Sequence, residues 1–137
     1  MHSFPIRVYY SDTDCGGIVY HARYLDFAEH ARTELLRDIG SNAEQKGSHR
    51  ALMEEEQLAL VVKSVNVDYQ RPAHLDDLLA VETEIEEAKH FSIVFRQTVK
   101  RDGETLCVLL IKVAAVSTAT MRPVPMPPWF APAVNEL

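Results

Sequence analysis

Apolar and polar positions alternate at the start of the chain. Phe4, Ile6, Val8 and Tyr10 are separated by Pro5, Arg7 and Tyr9, which predicts a short strand with one apolar face. From Ala22 to Ile39 the spacing lengthens: Leu25, Ala28, Leu35, Leu36 and Ile39 fall on one helical stripe, with Arg32 as its interruption. Asp26, Glu29, Arg37 and Asp38 lie mainly off that stripe. The pattern predicts an amphipathic helix about 27 Å long at ~1.5 Å per residue, stopped by Gly40 with Arg37 in its last turn. A strand of about eight residues spans the same distance, so this helix can lie along a whole sheet. Ser41 to Glu44 fits a capping box and predicts a short second helix over Asn42–Glu56, with the run Glu54-Glu55-Glu56 on a solvated face.

The remainder reads as strand. Leu58 to Gln70 sets Val61, Val65, Val67 and Tyr69 on one side and is broken by Arg71-Pro72-Ala73-His74. Leu78 to Glu87 puts Leu79, Val81 and Ile85 opposite Glu82, Glu84 and Glu86. In Phe91 to Lys100, Phe91, Ile93, Phe95 and Val99 alternate with Ser92, Arg96, Thr98 and Lys100. Asp102-Gly103 marks a hairpin turn, and Thr105 to Ser117, apolar on both faces, is expected to be a central or covered strand. The tail MRPVPMPPWFAP is too proline-rich for a central strand. The order predicts an α+β domain spanning residues 1–137, with one long helix covering the apolar face of an antiparallel sheet.

Composition narrows the function. A net charge of −6 argues against long-range attraction to nucleic acid or an anionic membrane. The longest apolar run, near CVLLIKVAAV, is broken by Lys112 and is far shorter than a spanning helix, and MHSFPIRVYY lacks the features of a signal peptide. Two cysteines, Cys15 and Cys107, make no disulfide framework; reduced thiols and a cytoplasmic location are expected.

The chemistry concentrates in SDTDCGGIVYH, Ser11 to His21, immediately before the long helix. A calcium loop is excluded, because Gly16 and Arg23 stand where ligands are needed. The histidines and cysteines lack the short spacing of a zinc site, and one Gly-Gly is neither a Walker loop nor a dinucleotide fingerprint. Cys15 as a nucleophile needs a base, which His21 could supply although nothing in the spacing forces that contact; Cys107 in an apolar strand reads as core. The pattern fits better a carboxylate aimed at a helix N-terminus. Gly16 and Gly17 permit a tight turn and close backbone approach, the first helical N–H groups are unpaired, and Asp14 stands just before them. A base or nucleophile facing an oxyanion site is what acyl transfer requires. The alternative is that Asp12 and Asp14 only shape the turn by bonding nearby amides.

At these residues the chain resembles a family. DTDCGGIVYHARYLDFAEHARTELLR, VDYQRPAHLDDLLAVETEI and the closing MRPVPMP are similar to the YbgC / 4-hydroxybenzoyl-CoA thioesterase group of hotdog-fold acyl-CoA thioesterases, over residues from about 5 to 127. The resemblance implies a hotdog fold, a long central helix wrapped by a five-stranded antiparallel sheet. It implies hydrolysis of an acyl-CoA thioester without metal or cofactor. Asp14 takes the place of the catalytic carboxylate, the backbone of His21 that of the carbonyl-polarising N–H, and Tyr20 and Gly17 line the same loop. It also implies active sites between subunits, in dimers that pair into tetramers. Asp26, Glu29 and Glu34 do not match the branch that uses a helix glutamate, and HARYLDF lacks the block of the hotdog dehydratases. CoA phosphates require local cations. Lys63, Arg71, Lys89, His90, Arg96 and Arg122 are the candidates, with Lys89 and His90 favoured by the family's layout and Arg71 next. The competing reading, from another class, is a non-catalytic subunit that binds acyl-CoA or an acyl carrier protein in envelope lipid metabolism.

Overall fold

A computed structural model describes residues 1–42, 51, 53, 54 and 57–137. In chain order its elements are β1 (His2–Arg7), a 3-10 turn (Tyr10–Asp12), α1 (Arg23–Asn42), β2 (Leu58–Tyr69), β3 (Leu78–Ala88), β4 (Ser92–Arg101), β5 (Glu104–Ser117) and α2 (Phe130–Asn135). The strands form one antiparallel sheet in the order β1-β3-β4-β5-β2. The four later strands therefore do not form a simple meander. β2 crosses to the far edge and pairs with β5, because the connection at residues 70–77 is long enough to carry the chain past two strands. The strand β5, apolar on both faces, lies inside the sheet as its pattern predicts, and Asp102 and Gly103 make the β4–β5 hairpin with φ of 50° and 81°.

Helix α1 buries Tyr24, Phe27, Ala28, Ala31, Leu35, Leu36 and Ile39 against the sheet. The stripe is thus rotated from the expected one. Leu25 is 39% exposed, because the two aromatic residues beside it claim the core side of the first turn. The helix also runs on past Gly40 to Asn42; one glycine inside a helix costs only about 1 kcal/mol and does not end it. Tyr10 belongs to the 3-10 turn and is 82% exposed rather than part of β1, and Phe91 lies just before β4 and is half exposed. The second helix expected over Asn42–Glu56 and its capping box fall largely outside the described residues.

The proline-rich tail is more than a loop. Val124 N–H donates to Ala115 C=O along the end of β5, and α2 then inserts Phe130 and Val134 into the core, Phe130 meeting Phe95 edge-on at 6.2 Å. One polar residue also faces inward from β4. Gln97 is fully buried, and its amide donates to Ala28 C=O at 2.9 Å and to Thr83 Oγ1 at 3.0 Å, while its carbonyl accepts from Arg32 at 2.9 Å. This network registers α1 on β3 and β4 at mid-helix, since each buried polar atom needs a partner in one relative position.

Two substitutions separate these contributions in urea unfolding. Gln97→Leu strands the polar atoms of Thr83 and Arg32 and is expected to cost about 1–3 kcal/mol. Phe130→Ala opens a cavity under α2 and is expected to cost more, about 3–5 kcal/mol.

Candidate active site at the leading end of the long helix

The loop between β1 and α1 is built from short-range hydrogen bonds. Asp12 accepts the Tyr9 N–H at 2.8 Å and stands 4.0 Å from Arg23, so its carboxylate closes the 3-10 turn and ties it to the first residue of α1. Asp14 accepts the Gly16 N–H on Oδ1 at 2.8 Å, while its own N–H and C=O bond to Ile18 C=O and Gly17 N–H. A Cβ on Gly16 would stand 3.1 Å from that Oδ1, so glycine lets the carboxylate close on the amide; Gly17, at φ +80°, makes the turn back. Asp14 is exposed, and its Oδ2 has no partner among the described residues.

The start of α1 is anchored from the other side. Tyr69 O–H donates to His21 C=O at 2.8 Å, Ala73 N–H donates to Tyr24 Oη at 3.2 Å, and Val19 N–H donates to Ala73 C=O. Burial pushes the Tyr24 and Tyr69 hydroxyls above their ordinary range, which keeps both protonated, Tyr69 as donor and Tyr24 as acceptor in these bonds. The His21 ring lies 4.5 Å from that of Tyr20, tilted at 56° to it, and the Tyr20 N–H bonds Asp12 C=O. The His21 N–H itself meets no acceptor among the described residues. It stands two residues before the first residue of α1, where it can receive a negatively charged oxygen. Beside it lies a cavity of about 350 Å³ walled by Ile18, His21, Tyr24, Tyr69, Arg71 and Pro72.

Asp14, Gly17, Tyr20 and His21 therefore share one loop, and Arg71 joins His21 at the cavity. Asp14 does not line that cavity; it stands on the loop at its side. Lys89 and His90 are elsewhere. They line a cavity of about 690 Å³ with the tail, beyond the end of β3, whereas the Asp14 loop bridges to His74 before its start. The 11 residues of β3 put about 35 Å between the two ends. Tyr24 and Tyr69 are the residues that sequence reasoning did not assign to the site. The only signal for them was that both aromatics carry a hydroxyl at the edge of an otherwise apolar pattern.

The neighbouring turn is held by charge. His74 N–H and the Arg101 guanidinium both donate to Asp77 Oδ2, at 2.8 and 2.7 Å. Partial burial pushes the Asp77 carboxyl up, but these donors and the Arg101 charge outweigh it and hold it below the usual carboxylate range. Cys107 is sealed in the core, where burial and then Asp68 push its thiol up to about 12; Cys15 is exposed on the loop.

A long helix laid across a five-stranded antiparallel sheet is the hotdog architecture shared by thioesterases, and solved structures similar to this one share the fold. The chain belongs to the thioesterase-like superfamily, whose family model matches residues 8–134. It is 48% identical over 135 residues to the acyl-CoA thioesterase YbgC of Haemophilus influenzae, covering 98% of this chain and 95% of that one. It is 42% identical over 129 residues to the acyl-CoA thioester hydrolase YbgC of Escherichia coli, covering 94% and 88%. A probable thioesterase from Bartonella henselae superposes with a TM-score of 0.84 at 32% identity, over 92% of this chain and 98% of that one. A mutant 4-hydroxybenzoyl-CoA thioesterase complexed with 4-hydroxybenzoyl-CoA, at 19% identity, shares the fold with a TM-score of 0.86 over 96% of each chain.

Two outcomes test this local picture. A carboxyl held low in the folded state gives stability that is present above its unfolded value, near 4, and is lost as pH falls through the folded value. The drop in urea midpoint between pH 7 and pH 3 is therefore expected to be smaller in Asp77→Asn than in wild type. In the native protein a chromogenic disulfide is expected to label Cys15 within minutes and Cys107 only after denaturant is added.

Proposed function

We propose that this protein hydrolyses the thioester of acyl-CoA to a free acid and CoA, with Asp14 as the acting carboxylate and the His21 N–H as the oxyanion donor. The observation that carries the reading is that one loop holds, among the described residues, a carboxylate with one unbonded oxygen and, at its far end, the unbonded His21 N–H at the entrance to α1. The thioesterase relatives support the reaction class over a purely binding role.

Two routes fit that pair. In the first, an Asp14 oxygen attacks the carbonyl carbon and the oxyanion is held by the His21 N–H. The C–S bond then breaks, CoA leaves as a thiolate that takes a proton from water, and a second water opens the resulting anhydride. In the second, Asp14 takes a proton from a water that attacks the carbonyl directly, and the tetrahedral species collapses with the same leaving thiolate. A single turnover in labelled water separates them: label found in the Asp14 carboxyl excludes the second. In either route the glycine pair lets the Asp14 carboxylate close on the Gly16 amide, and Tyr20 lies on the same loop.

Arg71 lies beside the His21 cavity and is our choice for the nearer CoA phosphates. Lys89 and His90 stand at the opposite end of the sheet, so they serve this loop only from a second copy set in the opposite direction. We accordingly read the protein as a homo-oligomer with sites between subunits, its dimers pairing into tetramers. No helix among the described residues is long and apolar enough to cross a membrane, and the exposed free thiol of Cys15 suits a reducing compartment, so we place the protein in the cytoplasm.

The test is release of free thiol from short, long and aromatic acyl-CoAs. Asp14→Asn is expected to lose turnover by about 10²-fold or more with an unchanged melting curve. Equal rates in wild type and variant on every substrate would remove Asp14 from the reaction.

A further inference from the structure

The connection between β2 and β3 is a template for the loop that carries Asp14 and His21. Its last residues exchange backbone bonds with Val8, where that loop begins: Val8 N–H donates to Asp77 C=O at 2.9 Å, and Asp76 N–H donates to Val8 C=O at 3.0 Å. Ala73 takes the other end of the loop. Its C=O accepts the Val19 N–H at 2.9 Å, its N–H donates to Tyr24 Oη at 3.2 Å, and His74 beside it bridges to Ile18. The shape of residues 72–77 is therefore passed to both ends of the loop.

Apolar packing does not hold that shape. Between Arg71 and Leu78 only Ala73 is buried. Asp76 stands at φ 71°, a left-handed conformation that a residue with a side chain keeps only where its surroundings enforce it. The enforcement comes from two arginines. Arg7 donates to Asp76 C=O at 2.7 Å. Arg101, from the end of β4, donates to Asp77 Oδ2 at 2.7 Å and to Pro72 C=O at 3.4 Å, so one guanidinium spans the segment from its first residue to its last. The same Nη1 lies 3.4 Å from His74 Nδ1, and Asp77 Oδ2 also accepts the His74 N–H at 2.8 Å. Glu104 steadies the other side of the guanidinium, 3.4 Å from Nη2. An exposed ion pair by itself holds little; this one is three-quarters shielded on the Arg101 side and is tied to main-chain groups on both sides of Ala73.

We propose that Arg101 and Asp77 are positioning residues for thioester hydrolysis: their ion pair fixes the β2–β3 connection, and through Ala73 that connection fixes the loop on which Asp14 and the His21 N–H stand. Neither side chain lines the His21 cavity, so both act through the backbone they hold. The proposal rests on the reading of the site given above and extends it to two groups outside the cavity. Loss of the pair frees the loop without opening the core, because the segment it holds contributes a single buried residue. A displacement of order 1 Å at reacting groups lowers a rate by up to about a hundredfold.

Acyl-CoA turnover and backbone amide exchange test it together, on wild type, Arg101→Ala, Arg101→Lys, Asp77→Asn and Phe130→Ala, each below its melting transition. Arg101→Ala is expected to lower kcat about tenfold to a hundredfold with KM within about threefold. It is also expected to speed exchange at the Val19 and Ala73 amides about tenfold or more beyond any change at interior amides of β5. Arg101→Lys keeps the charge opposite Asp77 and is expected to recover kcat to within about fivefold of wild type. Asp77→Asn keeps an acceptor for the His74 N–H but loses the charge; it is expected to lower kcat about threefold to tenfold, and it carries the test if Arg101→Ala fails to fold. Phe130→Ala loosens the core instead and is expected to keep kcat within about twofold, which separates positioning from lost stability. Wild-type kcat in the Arg101 and Asp77 variants, or wild-type exchange at Val19 and Ala73, overturns the proposal, as does an equal loss of kcat in Phe130→Ala. A wild type that turns over no acyl-CoA overturns the reading of the site and the catalytic part of this proposal with it; the exchange rates then still decide whether the ion pair holds the loop.

Discussion

The arrangement depends on how the leading end of α1 is fixed to the sheet. Two tyrosine hydroxyls do most of this: Tyr69 donates to His21 C=O from the end of β2, and Tyr24 accepts from Ala73 N–H in the β2–β3 connection. Both occupy the helix entrance, where backbone groups have no partners of their own. With His21 C=O and the Ala73 amide engaged, the His21 N–H is held in place yet left open. The loop before it is closed by the Gly16 N–H bond to Asp14 and the Tyr20 N–H bond to Asp12 C=O. Further along, Gln97 holds the same helix at mid-length through Ala28 and Arg32, so neither sliding nor rotation of α1 is free.

This economy has a consequence for charge. The chain is acidic overall, and within one copy its cationic candidates are divided between the two ends of the sheet, Arg71 at one and Lys89 at the other. A substrate with a charged nucleotide at one end and a reactive carbonyl at the other is served best if the two ends belong to different copies. β2 is an edge strand, and Val62, Val65 and Tyr69 on it are about half exposed. The helix is thus pinned to its sheet at the entrance and exposed along one flank.

Much of this was legible in the residues. The change of period at Ala22 located α1, Asp102-Gly103 located the β4–β5 hairpin, and the apolar run of β5 announced an interior strand. The glycine pair after Asp14 pointed to a loop where backbone and carboxylate come close, and the Gly16 contact has that form. What was not legible depended on distant parts of the chain. Whether Leu25 or Tyr24 faces the core is decided by the sheet the helix meets, not by helical spacing alone. The crossing of β2 to the far edge, the burial of Gln97 and the docking of Phe130 each arise from contacts between segments far apart in sequence. The role of Tyr69 is of the same kind, since its hydroxyl reaches a carbonyl 48 positions away.

The central claim is that a thioester carbonyl is received at the entrance of α1, beside Asp14. It is tested most directly by a crystal structure of Asp14→Asn soaked with an acyl-CoA that the wild type turns over. The account predicts the carbonyl oxygen about 3 Å from the His21 nitrogen, with the residue 14 side chain against the carbonyl carbon. A carbonyl bound elsewhere on the chain, with the His21 amide still unoccupied, would contradict it.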